Sequence, residues 1–222
     1  MPGKKFLPVI HVLNMDQMLR NLEIAKSNGA DGVFLINHGP LRWTRLLTLH
    51  VKAVELYPDL WIGINFLDLE THEVFEHVPE SLHGIWADDG GIHEKSITYA
   101  KKIVRHRKES SFTGAYFGGV AFKGQGYVQD VNKVARVATD FMDIVTTSGD
   151  GTGQAASIDK IVSMKEAIGD RSLALASGVT IDNVGYYLPY VDYFLVATGI
   201  CSSFHELDPV KVKNLSKVIH EF

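Results

Sequence analysis

Short apolar runs rich in β-branched residues recur along the chain. Each ends in polar or glycine residues and is followed by an amphipathic stretch. The runs cover residues 7–12, 32–37, 61–66, 84–87, 114–121, 143–147, 173–177 and 193–197. Such runs, bounded by turn residues, read as strands buried on both faces, and the stretches between them carry the spacing of helices. Strands alternating with helices predict a parallel sheet. Eight βα units with no leftover segment favour a closed (β/α)8 TIM barrel over an open doubly wound sheet.

Local punctuation agrees with that division. Asn28-Gly29 ends the first helix, and Ala30-Asp31-Gly32 leads into the second strand; glycine suits the left-handed position past a helix end. Ser157 and Thr180 are placed to cap the sixth and seventh helices, and Asp208-Pro209 supplies a cap and first residue for the last. Pro79 and Pro189 limit the third and seventh helices to short pieces. No linker or low-complexity tract divides residues 1–222, so they read as one domain, the length that about 200–250 residues of barrel require.

Composition narrows the function. The net charge of −4 and the lack of an aromatic-basic stripe exclude a nucleic-acid surface; the basic stretch 101–108 reads as a solvated helix face. One cysteine, Cys201, allows no internal disulfide and points to a reducing compartment. Pro8 and His11 break the apolar segment behind Lys4-Lys5, a poor leader peptide, and no run approaches the roughly 20 residues of a membrane span. A soluble, cytoplasmic protein is expected. Trp43, Tyr186, Tyr187 and Tyr190 are either core or interface, and a homo-oligomer is expected only because barrels often pair.

In this fold the chemistry sits where strands end. Every strand end offers a polar group. After the sixth strand, Ser148-Gly149-Asp150-Gly151-Thr152-Gly153-Gln154 alternates glycines, so the backbone can turn its N–H groups toward one anion, with Ser148 and Thr152 as hydroxyl donors. Ser177-Gly178 and Thr198-Gly199 follow the next two strands, and a short extra helix after Thr198 would add an N-terminus. Together these predict a phosphate site. The loop lacks the lysine of a P-loop and lies in the sixth unit, which argues against a dinucleotide fingerprint.

Four residues are candidates for catalysis. Asp88-Asp89, at the fourth strand end, suit Mg²⁺ or a general acid/base of raised pKa, but only one of two neighbours points into a barrel mouth; the other reading is a helix cap. His38 can move protons near neutral pH. Lys123 can form a Schiff base or hold an anion, unless it is a surface lysine. His11 reads equally as a core histidine or a substrate contact, and Asn65 as a substrate contact. The remaining histidines, His72 and His77 among them, lack zinc spacing.

The segments 143–149, Gly151-Thr152-Gly153 and 176–180 with Asn183-Val184 resemble the BtpA family of ribulose-phosphate-binding-type barrels. Residues 208–212 resemble its closing segment, and 9–12, Asp31-Gly32 and 63–65 resemble its first three strands. Lys123 falls where that family has a Lys-His pair. The chain departs from it at 13–16, where a proline-rich loop is expected, and at 36–38, where Glu-Asn is expected. Both departures lie at the substrate end. The resemblance implies the barrel and its phosphate site, and the family takes its name from a part in photosystem assembly.

Two functions remain. The first is an enzyme acting on a small phosphorylated metabolite, a phosphosugar or nucleotide, by isomerase, lyase or phosphoribosyl-transfer chemistry. The second is a non-catalytic ligand-binding or complex-assembly factor on the same scaffold.

Overall fold

A computed structural model describes residues 3–222. Eight parallel strands close into a barrel: β1 Lys5–Val12, β2 Gly32–Asn37, β3 Trp61–Asn65, β4 Gly84–Ala87, β5 Ala115–Gly119, β6 Ile144–Ser148, β7 Ser172–Ala176 and β8 Tyr193–Val196. β1 closes the ring by pairing with β8, Lys5 opposite Tyr193 and Pro8 opposite Val196. The expected TIM barrel is therefore the fold, in strand order one to eight.

Helices follow each strand: α1 Met15–Ser27, α2 Trp43–Leu56, α3 Thr71–His77, α4 Thr98–Glu109, α5 Val131–Ala138, α6 Ile158–Ile168, α7 Val184–Tyr187 and α8 Pro209–His220. As the prolines predict, α3 has seven residues and α7 four. Ser157 caps α6 by accepting from the Lys160 N–H, and Asp208 caps α8 by accepting from Val210 and Lys211. Thr180 does not cap α7. Asn183 holds the cap position, and its side-chain oxygen instead accepts from the Thr180 N–H at 2.8 Å. The basic stretch lies on α4, whose buried residues are Ala100 and Ile103, so its charges face solvent or, for Arg107, the Asp143 carboxylate at 2.6 Å.

Alternation along the strands builds two cores. Leu7, Val9, Phe34, Ile36, Ala174 and Ala176 fill the barrel interior, and Phe6, Ile10, Val33, Leu35, Leu173 and Leu175 pack outward under the helices. Four strands, β3, β5, β7 and β8, end earlier than their apolar runs, and for β5 and β7 the backbone shows why. Ala121 and Ser177 take left-handed φ values of 47° and 81°, which breaks the extended chain before them. Of the aromatic candidates for an interface, Tyr187 is core and donates to the Ala156 carbonyl at 2.6 Å, Trp43 and Tyr190 pack against the core, and Tyr186 is exposed. No helix among the described residues is long and apolar enough to cross a membrane.

One element was not anticipated. After a single turn of 3₁₀ helix at Thr198–Ile200, the chain forms a small antiparallel hairpin, β9 Cys201–Ser203 and β10 Glu206–Leu207.

Candidate functional site

Three loops at the C-terminal ends of β6, β7 and β8 pack backbone against backbone. A Cβ on Gly149 would lie 2.2 Å from the Gln154 carbonyl oxygen, one on Gly178 2.1 Å from that same oxygen, and one on Gly199 2.0 Å from the Val179 oxygen. Glycine is required there by space, and at Gly178 also by its φ of 71°. Two serines expected at the phosphate site, Ser148 as a hydroxyl donor and Ser177 beside Gly178, have their hydroxyls consumed in holding this arrangement. Ser177 Oγ accepts from the Gly153 N–H and donates to the Gly151 carbonyl, both at 3.1 Å. Ser148 Oγ accepts from the Lys123 N–H at 2.7 Å and donates to the Gly149 carbonyl at 2.8 Å.

What remains free is mostly main chain. The N–H groups of Thr152, Gly178 and Gly199 make no hydrogen bond among the described residues. Thr152, Gly153, Ser177 and Thr198 form one side of a cavity of about 190 Å³ at the barrel mouth. Gly149, Gly151, Gly178 and Gly199 shape the loops without lining that cavity.

The rest of the cavity brings together His11, His38, Asp88 and Lys123, from the ends of β1, β2, β4 and β5. Asp88 accepts from Asn65 Nδ2 at 2.9 Å, so Asn65 orients this carboxylate from the next strand. Burial pushes the Asp88 carboxyl above the usual carboxylate range, opposed by the Asn65 hydrogen bond and the nearby Lys123 charge. The Lys123 ammonium has no hydrogen-bond partner among the described residues and lies 5.7 Å from the Phe122 ring centre. Burial holds His11 down to about 4, helped by His38, His205 and Lys123 around it, so its ring is neutral at pH 7.

Asp89 stands apart from this group. Its Oδ1 accepts from the Gly91 N–H and from Gln125 Nε2, both at 2.8 Å, which ties the β4 loop to the β5 loop. As the pleat requires, one of the two neighbours reaches the cavity and the other becomes framework. The pair is thus engaged in two directions, and no cluster of three metal-ligating side chains occurs among the described residues.

The hairpin supplies the residues that sequence reading missed. Its tip, Phe204, stacks on His11 with ring centres 4.3 Å apart and meets His38 edge-on at 5.1 Å, which closes one side of the cavity. Two buried amides of α1 hold it. Gln17 and Asn21 both donate to the His205 carbonyl, and Asn21 Oδ1 accepts from the Leu207 N–H at 2.7 Å. His205 Nδ1 lies 2.9 Å from the His11 carbonyl. The only sequence signal was an aromatic pair, Phe204-His205, soon after Thr198-Gly199. Lys160 was also missed. From α6 its ammonium reaches back to the carbonyls of Ala121 at 2.5 Å and Ser148 at 2.7 Å, which stitches the β5 and β6 loops together.

Solved structures share the barrel. (S)-3-O-geranylgeranylglyceryl phosphate synthase from Thermoplasma acidophilum, in complex with sn-glycerol-1-phosphate, superposes with a TM-score of 0.69 at 13% identity, over 100% of this chain and 95% of that one. Phosphoribosyl anthranilate isomerase from Thermus thermophilus gives 0.65 at 17% identity, over 96% of each chain. Orotidine 5'-monophosphate decarboxylase from Methanocaldococcus jannaschii gives 0.63 at 12%, over 98% of this chain and 100% of that one. At these identities the likeness is one of fold. No curated protein matches the sequence. The model of the BtpA family matches residues 12–221, nearly the whole length. The chain is a member of the BtpA family.

Proposed function

We propose that this protein is an enzyme acting on a small phosphorylated metabolite held at the barrel mouth. The observation that carries the reading is the division of one cavity. On the β6–β8 side, the unpaired Thr152 N–H and the Thr152 and Thr198 hydroxyls belong to residues that line the cavity and suit a phosphate, and the same loops carry the unpaired N–H groups of Gly178 and Gly199. On the other side, Asp88 and Lys123 suit proton transfer or stabilisation of a developing oxyanion. Asp88 is the general acid/base in this reading, Asn65 positions it, and His38 is a second proton carrier. Asp89 takes no part, and no metal is assigned to the carboxylate pair. The volume of about 190 Å³ lies below the roughly 300–1,000 Å³ of ordinary ligand pockets, which favours a short phosphosugar over a nucleotide. Three of the solved structures above are enzymes whose names refer to phosphorylated compounds, which agrees with the reading and selects no reaction.

The test is thermal unfolding against a panel of phosphorylated sugars and nucleotides, with and without Mg²⁺. A ligand at 100 times its Kd stabilises the fold by about 2.7 kcal/mol, an easily read rise in Tm. Asp88→Asn and Lys123→Met are expected to keep the stabilisation by phosphate compounds and lose turnover of the compound that binds. No shift with any phosphate compound removes the reading.

A second reading, an assembly factor, is favoured by a different observation. Leu13, Leu67, Tyr127, Ile181 and Phe204 are all exposed, and each follows a barrel strand on the mouth side. Serine at Leu13, Leu67 and Ile181 would leave phosphate stabilisation intact and abolish association with a partner complex if that reading holds.

A further inference from the structure

We infer that the ligand of this cavity carries a second anionic group, a carboxylate opposite its phosphate, received by Lys123 and the indole N–H of Trp86. The inference rests on the phosphate reading above and adds the chemical class: a short phosphorylated carboxylic acid.

Two nitrogens belonging to residues of this cavity wall are buried and unpaired among the described residues, Trp86 Nε1 and His11 Nδ1. Trp86 is only 4% exposed, and an indole N–H can only donate. Buried donors without partners are costly, and an acceptor arriving with a ligand would satisfy this one. Lys123 adds an ammonium with three donors and no partner among the described residues. The groups that face the cavity from each element are His11, His38, Asp88, Lys123 and, through its contact with His11, His205. Asp88 is the sole carboxylate among them, and it already accepts from Asn65.

The phosphate side offers neutral main-chain and hydroxyl donors, and the opposite side offers a cation and an indole N–H. A ligand with one anionic end would satisfy only one of these. A phosphate and a carboxylate joined by two or three carbons would satisfy both, and the small volume suits a ligand of that length.

The inference is tested by calorimetric titration of the whole protein with inorganic phosphate, glycerol 3-phosphate and 3-phosphoglycerate. The last two differ in having a hydroxymethyl or a carboxylate at the end away from phosphate. All three are expected to bind, with 3-phosphoglycerate at least about 10-fold tighter than glycerol 3-phosphate, the size of one charge-assisted hydrogen bond. Lys123→Met is expected to remove that preference and Trp86→Phe to reduce it, with inorganic phosphate binding unchanged in both. Equal affinity of the wild type for the two compounds overturns the second anion site and leaves the phosphate reading standing. A preference that survives both variants overturns the assignment of these residues. Failure of all three ligands to bind overturns the phosphate reading and this inference with it.

Discussion

Gly178 is where the proposed anion-binding geometry can be broken by one methyl group, and Gly169 provides its control. Both have positive φ, 71° and 59°. At Gly169, past the end of α6, a Cβ would meet nothing within 4 Å. Alanine there pays only for a backbone conformation that suits glycine, about 1–3 kcal/mol. At Gly178 a Cβ would sit 2.1 Å from the Gln154 oxygen, 2.3 Å from its carbonyl carbon and 2.5 Å from the Ala155 nitrogen. Those neighbours are main chain and cannot rotate away. Ordinary contact begins near 3.4 Å, so the β6 and β7 loops must part by roughly 1 Å. Overpacking of this kind adds about 1–3 kcal/mol to the φ cost of about 1–2 kcal/mol, about 2–5 kcal/mol in all.

The stability losses of the two variants overlap, so ligand affinity separates them. Displacing a positioned group by 1 Å can cost up to about 100-fold in function. Gly178→Ala is expected to lower Tm by roughly 4–20 °C and to weaken inorganic phosphate binding at least 10-fold. Gly169→Ala is expected to lower Tm and bind phosphate as the wild type does. Urea unfolding and calorimetric titration of both variants read the two quantities. Wild-type phosphate affinity in Gly178→Ala, or an equal loss in Gly169→Ala, would refute the assignment of the anion to these loops.

Three further outcomes follow from buried polar groups. His50 is 1% exposed, its Nε2 lies 3.2 Å from the Ile62 carbonyl, and burial lowers its pKa from 6.5 to about 4. Its stabilising contribution is complete above pH 6.5 and is lost as pH falls toward 4, at most about 3 kcal/mol; His50→Gln should flatten the urea-midpoint curve over that window, and an unchanged slope would assign the acid sensitivity elsewhere. Asn21→Ala leaves the Leu207 N–H unpaired and removes one donor to the His205 carbonyl, which is expected to cost about 1–3 kcal/mol and to speed chymotrypsin cleavage at Phe204; an unaltered cleavage rate would mean the hairpin is held by other contacts. Lys160→Met strips a half-buried ammonium from the Ala121 and Ser148 carbonyls, so a loss of about 1–3 kcal/mol is expected together with weaker effects of any ligand that uses Lys123; stability within 0.5 kcal/mol of wild type counts against the stitch.

The parts of this architecture that depend on local pattern were legible in the sequence. Strands buried on both faces are apolar throughout, so the eight runs mark β1 to β8 to within two residues, whereas which of Val9 and Ile10 faces the interior is decided by closure of the barrel. Cap chemistry at Ser157 and Asp208 is equally local. Thr180 misled because Thr180 and Asn183 both suit a cap, and only the turn geometry decides which one accepts. The hairpin was hidden for another reason. Its anchors, Gln17 and Asn21, lie 188 and 184 residues from His205, and inside α1 they look like ordinary polar positions. Nothing in a helical repeat says that a polar residue on the buried face is waiting for a backbone carbonyl from the far end of the chain.

The same distinction applies to the residues with chemical groups at the strand ends. Sequence lists donors; the fold decides which are already spent. Ser148 and Ser177 have hydroxyls suited to phosphate, yet each is already engaged both as donor and as acceptor. Asp88 and Asp89 are chemically identical neighbours, yet Gln125 and the Gly91 N–H occupy one while the other faces the cavity. A site can be reorganised by ligand only through groups not needed to hold it together. That leaves the free main-chain N–H groups, Thr152 and Thr198 on one side and Asp88, Lys123, His11 and Trp86 on the other. Substitutions at the engaged hydroxyls should therefore act through stability, and those at the free groups through affinity or turnover at unchanged stability. In the loops after β6 and β7 serine side chains fix the main chain, and in the proposed reading it is the main chain that meets the anion.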